Sequence, residues 1–231
     1  PVMLGQAERL GLDPFHEHPL AHHPPLYYGL LAGVERLLFR DGLRPSPWPQ
    51  PQPVRGELRG ELIWSHGADE PLASAEQRRL GLLRGLSLLM GLGVLLATAR
   101  LGHRLVPGDP RVGTLAALLL TLLPSWSSAQ ALLDNGNLAS LACAWALVLL
   151  AAGLSEGRCG PRRAAALGLL VAVGLWSKLT SLILLPLLGF VSVVLLRRGG
   201  WRAAGPALAA LGLSLLAWSP WLLRNRELYG E

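Results

Sequence analysis

Residues 164–197 read AAALGLLVAVGLWSKLTSLILLPLLGFVSVVLLR, two apolar runs parted by one charged residue, Lys178. The first run, Ala164 to Ser177, would extend about 21 Å as a helix, short of a hydrocarbon layer roughly 30 Å thick. The turn at Lys178 is therefore expected within the depth of a membrane. Polar backbone is tolerated there only where protein covers it or it lines a wet cavity.

The surrounding sequence repeats the pattern. Val112 to Leu133, Asn135 to Ser155, Leu179 to Leu196 and Ala203 to Leu223 are almost free of charge. With 51% hydrophobic residues, the chain falls in the membrane class rather than the soluble one. Six spans are expected, at about 81–102, 112–127, 137–154, 164–177, 179–197 and 203–221. The expected fold is all-α, a polytopic transmembrane helical bundle over residues 81–231.

Residues 1–80 differ. They are polar and rich in Pro and His, and the run SPWPQPQP within residues 41–60 cannot supply the donors of a helix or a central strand. One amphipathic stretch, Leu26 to Arg40, carries Glu35 and Arg36 and is expected as an interfacial helix, with Tyr27 and Tyr28 in the headgroup belt. The chain begins at Pro1 with no apolar segment before residue 26, and is expected to be a piece of a longer protein lacking its start.

Arginine placement orients the bundle. Loops after the first, third and fifth spans carry Arg100, Arg104, Arg111, Arg158, Arg162, Arg163, Arg197, Arg198 and Arg202, whereas those after the second and fourth carry Lys178 alone. By the positive-inside rule the arginines face the cytoplasm. The polar head, the turn at Asp134, the turn at Lys178 and the tail RNRELYGE then share the extracytoplasmic side. The net charge of +6 does not point to nucleic acid, because the basic residues punctuate apolar runs and form no stripe. Cys143 and Cys159 have neither metal-ligand spacing nor a disulfide framework.

Lys178 is the only lysine beside twenty arginines. An ammonium so placed either holds an anion, a phosphate above all, or snorkels to the headgroups and anchors a hairpin. Arg224 and Arg84 are the further cations expected on the same side, around one cavity suited to a lipid phosphate. Asp134, in LLDNGNLAS, has two readings: a base acting on a sugar hydroxyl, or part of the start of a helix capped by Asn137 or Asn135. His16, Glu17, His18, His22 and His23 include metal-ligand types. A Pro-broken loop fixes no tetrahedral geometry, however, so neither a metal nor another cofactor is expected.

In order along the chain, HHPPLYYGLL, SHGADEP, LLRGLSLLMG, LLDNGNLAS, GLWSKLTSLILLP and SPWLLRNRELYG resemble the GT-C class of integral-membrane glycosyltransferases, the class of protein O-mannosyltransferases and lipid A aminoarabinose transferases. The likeness is greatest to bacterial relatives with HPPLYY and a closing PWLLRN. The resemblance implies an inner or plasma membrane location. It also implies transfer of a sugar from a polyprenyl-phosphate donor to an acceptor glycan, lipid or protein on the extracytoplasmic face. Lys178 and Arg224 would hold the departing phosphate, while His23, Tyr27 and Tyr28 would shape the cavity wall and Asn137 would bind substrate.

Two departures stand out. The relatives' first-loop acid precedes the HPP segment, beyond the start of this chain. Their Asn-Asp-Asn-Leu-Ala run is here NGNLA, with Gly136 in place of the acid, so Asp134, Glu17, Asp69 and Glu70 are the carboxylates left to assist. The rival reading is a transporter or flippase for a lipid-linked or anionic substrate, since a short span and a cationic turn also suit a midplane site.

Overall fold

The computed structural model describes residues 24–39 and 74–229, all-helical with no strand among them. Glu17, His23, Asp69, Glu70 and the Pro-rich run lie outside the described residues. A short helix α1 (Leu26–Leu38) precedes α2 (Ser74–Leu105), α3 (Pro110–Thr121), α4 (Pro124–Ala131), α5 (Asn135–Ser155) and α6 (Pro161–Ser177). A 3-10 turn (Leu179–Ile183) then leads into α7 (Leu184–Tyr229).

Three helical stretches are long and apolar enough to cross a membrane, Arg78–Leu105, Asn135–Ser155 and Leu179–Glu227, with a fourth if α3 and α4 together make one span. Over an apolar 18-residue stretch of each, no more than 39% is buried within the protein. Leu88, Leu89, Leu92, Leu118, Leu119, Phe190 and Leu216 are among the large apolar side chains left exposed. Exposed apolar side chains of this number, on helices of this length, are compatible with an integral membrane protein.

The breaks between helices follow from local sequence. Pro110 starts α3 at a position where a missing N–H costs nothing, and the Asp109 carboxylate accepts the Arg111 N–H at 2.9 Å. The expected span 112–127 is not straight: α3 and α4 meet at 72° across Leu122 and Leu123. The cause is Pro124, which forces the preceding residue out of helical conformation. Helix α6 reaches back to Pro161, giving 17 residues, about 26 Å.

The fifth and sixth expected spans are two arms of α7, broken at Gly200, whose φ of 65° favours glycine. The second arm runs alongside α6 in the same direction. Cys159 N–H donates to Ala203 O, Ser214 Oγ to Gly168 O, and Trp176 Nε1 to Ala217 O. The first arm runs the opposite way, from Ser181 against Gly174 to Arg198, which donates to Leu154 O. Leu167, Val171, Leu175, Leu184, Leu188, Leu195, Ala204 and Ala207 fill the core between them.

The arginine loops converge at one end. Arg163 hydrogen-bonds Glu156 at 2.6 Å and holds its carboxyl below the usual carboxylate range, and the charges of Arg104 and Arg158 add to the effect. Asp134, Lys178 and α1 lie at the opposite end.

Helices α2 and α3 touch backbone to backbone. A Cβ on Gly113 would stand 2.1 Å from Ala99 O, and one on Gly102 would stand 2.4 Å from Gly113 Cα. Gly113→Ala is expected to cost about 1–3 kcal/mol by forcing the pair apart. Gly108→Ala, in a turn with nothing within 4 Å, should leave stability unchanged. Thermal unfolding of the detergent-solubilised variants checks the contrast.

Candidate functional site

The site is assembled from two helix breaks. Asp134 stands in extended backbone before α5, and its Oδ1 accepts a short hydrogen bond from Gly136 N–H. Asp134 itself is therefore the cap, not Asn135 or Asn137 as the sequence suggested. An aspartate one residue outside the first helical turn can reach back to that amide. Asn137 is buried instead, and its Nδ2 donates to Leu132 O at 2.8 Å, tying the chain that enters α5.

The second break follows Ser177. Lys178 is extended (φ −154°, ψ 134°), and its carbonyl accepts the Ser181 N–H at 3.0 Å. Ser181 is buried against Gly174, with Cys143 Sγ 3.6 Å from its hydroxyl. This docking holds the 3-10 turn and aims Lys178 across to α5, where its Nζ lies 3.3 Å from Asp134 Oδ1. The two side chains remain 34% and 48% exposed, so the pair contributes at most about 1 kcal/mol.

Gly136 completes the arrangement. A Cβ placed there would stand 2.5 Å from Asp134 Oδ1 and 3.2 Å from Lys178 Nζ. A side chain at 136 would thus point where the Asp134 carboxylate already stands.

Helix α1 covers this end, packed on α2 and α5 through Leu31, Leu83, Met90, Leu133, Leu138 and Leu141. Tyr27 is not in a headgroup belt. It is fully buried, with its hydroxyl 3.1 Å from Ser87 Oγ, because the turn after Pro25 directs the ring inward onto α2. Tyr28 is half-buried and meets Tyr27 edge-on at 5.6 Å. Burial raises the pKa of both phenols and the charge of Asp134 adds to it, while the Ser87 hydrogen bond partly offsets the rise at Tyr27. Ser87 carries no sequence signal beyond being a polar residue in an apolar run.

The three cations sit differently from one another. Arg224 lies over the Trp221 ring at 4.6 Å and donates to Asn225 Oδ1 at 3.1 Å, and Trp221 in turn meets Trp176 at 6.0 Å. Trp176 stands two residues before Lys178 in the chain. Arg84 is exposed on α2, three residues before Ser87. An open groove of about 420 Å³ lined by Pro110, Arg111, Thr114 and Leu115 belongs to the opposite, arginine-bearing end. Among the described residues no group of His, Cys, Asp and Glu is arranged to hold a metal.

No family model, curated relative or solved structure matches this chain.

Asp134→Ala is expected to lose about 1 kcal/mol of stability with the cap, whereas Asp134→Asn, an equally good cap, should lose little. Thermal melts of the two variants decide between a capping and a purely electrostatic role. A tyrosine with a raised pKa contributes stability below the ordinary value near 10, and loses it as pH rises through its folded value. A tyrosinate absorbance titration should accordingly show Tyr27→Phe and Tyr28→Phe each removing a late-ionising component.

Proposed function

We propose that this chain belongs to a membrane glycosyltransferase moving a sugar from a polyprenyl-phosphate donor to an acceptor on the extracytoplasmic face. The observation that carries the reading is the carboxylate–ammonium pair, Asp134 with Lys178, at the end opposite the arginine loops. Transfer needs a cation for the phosphate that departs and a carboxylate for the hydroxyl that attacks.

In this mechanism the acceptor oxygen attacks the anomeric carbon and the bond from that carbon to the phosphate oxygen breaks. Its electron pair leaves with the polyprenyl phosphate, beside Lys178. Asp134 takes the hydroxyl proton through Oδ2, while Oδ1 keeps the helix cap. Glu17 is the second carboxylate candidate, outside the described residues, and His23 is placed by the same reading at the cavity wall. Tyr27, with Asn137 beside it, supports the floor under the pair. Arg224 and Arg84 supply further positive charge to the phosphate. The sequence likeness to GT-C enzymes and the bacterial inner or plasma membrane location are part of the same proposal.

A specific observation favours a second reading. The 72° break between α3 and α4, together with the turn at Lys178, gives two discontinuous helices, the construction transporters use for midplane sites. A flippase or carrier of a lipid-linked anion would use Lys178 for binding alone.

The deciding experiment follows sugar release from radiolabelled polyprenyl-phosphate sugars in membranes holding the full-length protein. Lys178→Ala is expected to lower transfer about 100-fold or more, the scale seen when one charge-stabilising donor is removed. Absence of transfer by wild type from a broad donor panel would replace the enzyme reading with transport.

A further inference from the structure

We infer that Asp134 is an internal competitor for the anion site at Lys178: its carboxylate holds the place on the ammonium that a phosphate ester takes, and phosphate binding displaces it. The inference rests on the proposed function, and gives that site an order of events.

Four features support it. The contact is end-on, a single oxygen at 3.3 Å, on a pair that solvent reaches from outside. A lysine ammonium has three donors, and among the described residues Lys178 Nζ makes no other hydrogen bond. Asp134 is anchored independently of the lysine, because Gly136 N–H holds its Oδ1. The same oxygen meets the ammonium, so the flexible lysine is the partner that swings away while the carboxylate keeps the cap of α5. Finally, Gly136 presents no side chain beside Nζ, where a Cβ would come within 3.2 Å, so the Asp134 carboxylate is what fills the approach a tetrahedral anion would take. That approach is also the positive end of a 21-residue helix.

The consequence is a coupling. While Asp134 lies on Lys178 its charge is committed to the ammonium; once a phosphate monoester or diester takes Lys178, the carboxylate is released at the place where the acceptor hydroxyl must lose its proton. Donor occupancy would thus precede activation of the acceptor.

The test is binding to the full-length protein in nanodiscs of one neutral lipid, with polyprenyl phosphate and inorganic phosphate as separate probes. The proteins compared are wild type, Asp134→Asn, Asp134→Ser, Lys178→Ala and the double variant Asp134→Asn with Lys178→Ala. Both uncharged residues still cap a helix, so the fold is kept. Removing the competitor should tighten phosphate binding about fivefold, the worth of an exposed pair, and the gain should vanish in the Lys178→Ala background.

Equal or weaker binding by Asp134→Asn and Asp134→Ser overturns the competition, as does a gain that persists without Lys178. If inorganic phosphate shows the Lys178-dependent gain and polyprenyl phosphate does not bind, the competition stands and the lipid-donor reading fails. If transfer occurs with no gain, the reverse holds. Binding of neither probe to any variant removes both.

Discussion

A helix inside hydrocarbon satisfies its own backbone, and every place where it stops must find other partners. The architecture depends on how this chain meets that requirement at its breaks. At the arginine-bearing end, Gly200 reverses α7 and the Cys159 N–H turns to Ala203 O. At the other end the carboxylate of Asp134 takes the Gly136 amide, Asn137 takes Leu132 O, and the Lys178 carbonyl takes the Ser181 amide. The polar groups that close these breaks are the same ones the proposed site would use, so that proposal draws on residues the fold already needs.

Much of this was legible in the sequence because it follows from composition over long windows. Each expected span has a helix beneath it, and the arginine loops do meet at one end, where Arg163 bonds Glu156 and Arg198 bonds Leu154 O. By length and apolarity three helical stretches qualify as spans, or four with the bent pair, and the longest, Leu179–Glu227, holds two of the expected ones. What windows cannot register is a single torsion. Pro124 bends the second span by 72°, and Gly200 folds the last two into a hairpin, because one residue's φ and ψ outweigh the hydropathy of its neighbours.

Side-chain direction was the other blind spot. Tyr27 in HPPLYY read as an interfacial aromatic, since tyrosine at a membrane boundary is ordinary. Ser87 lies sixty residues away and, being small, bears no mark of its role, yet its hydroxyl gives the buried phenol a polar partner. Asp134 and Lys178 were singled out separately, each for being charged among apolar residues. Their meeting depends on Ser181 docking against Gly174, a contact that spacing along the chain does not encode. Gly136 shows the same limit in a useful form. Read along the sequence, Gly136 carries no side chain; in space, Asp134 Oδ1 stands 2.5 Å from where its Cβ would be.

The identity of the one cation at this place carries a physical meaning. The chain uses arginine at every other basic position, and at the opposite end an arginine makes the bonds expected of it: Arg163 reaches Glu156 and the Arg158 carbonyl at once. A planar guanidinium facing Asp134 would grip both carboxylate oxygens through two parallel hydrogen bonds and hold them. An ammonium is a compact point charge with rotatable donors, and here it touches one oxygen only. It can exchange a carboxylate for a phosphate without breaking a bidentate fork. A lysine in the break after α6 therefore suits the exchange proposed for it, as the arginines suit contacts that hold loops together.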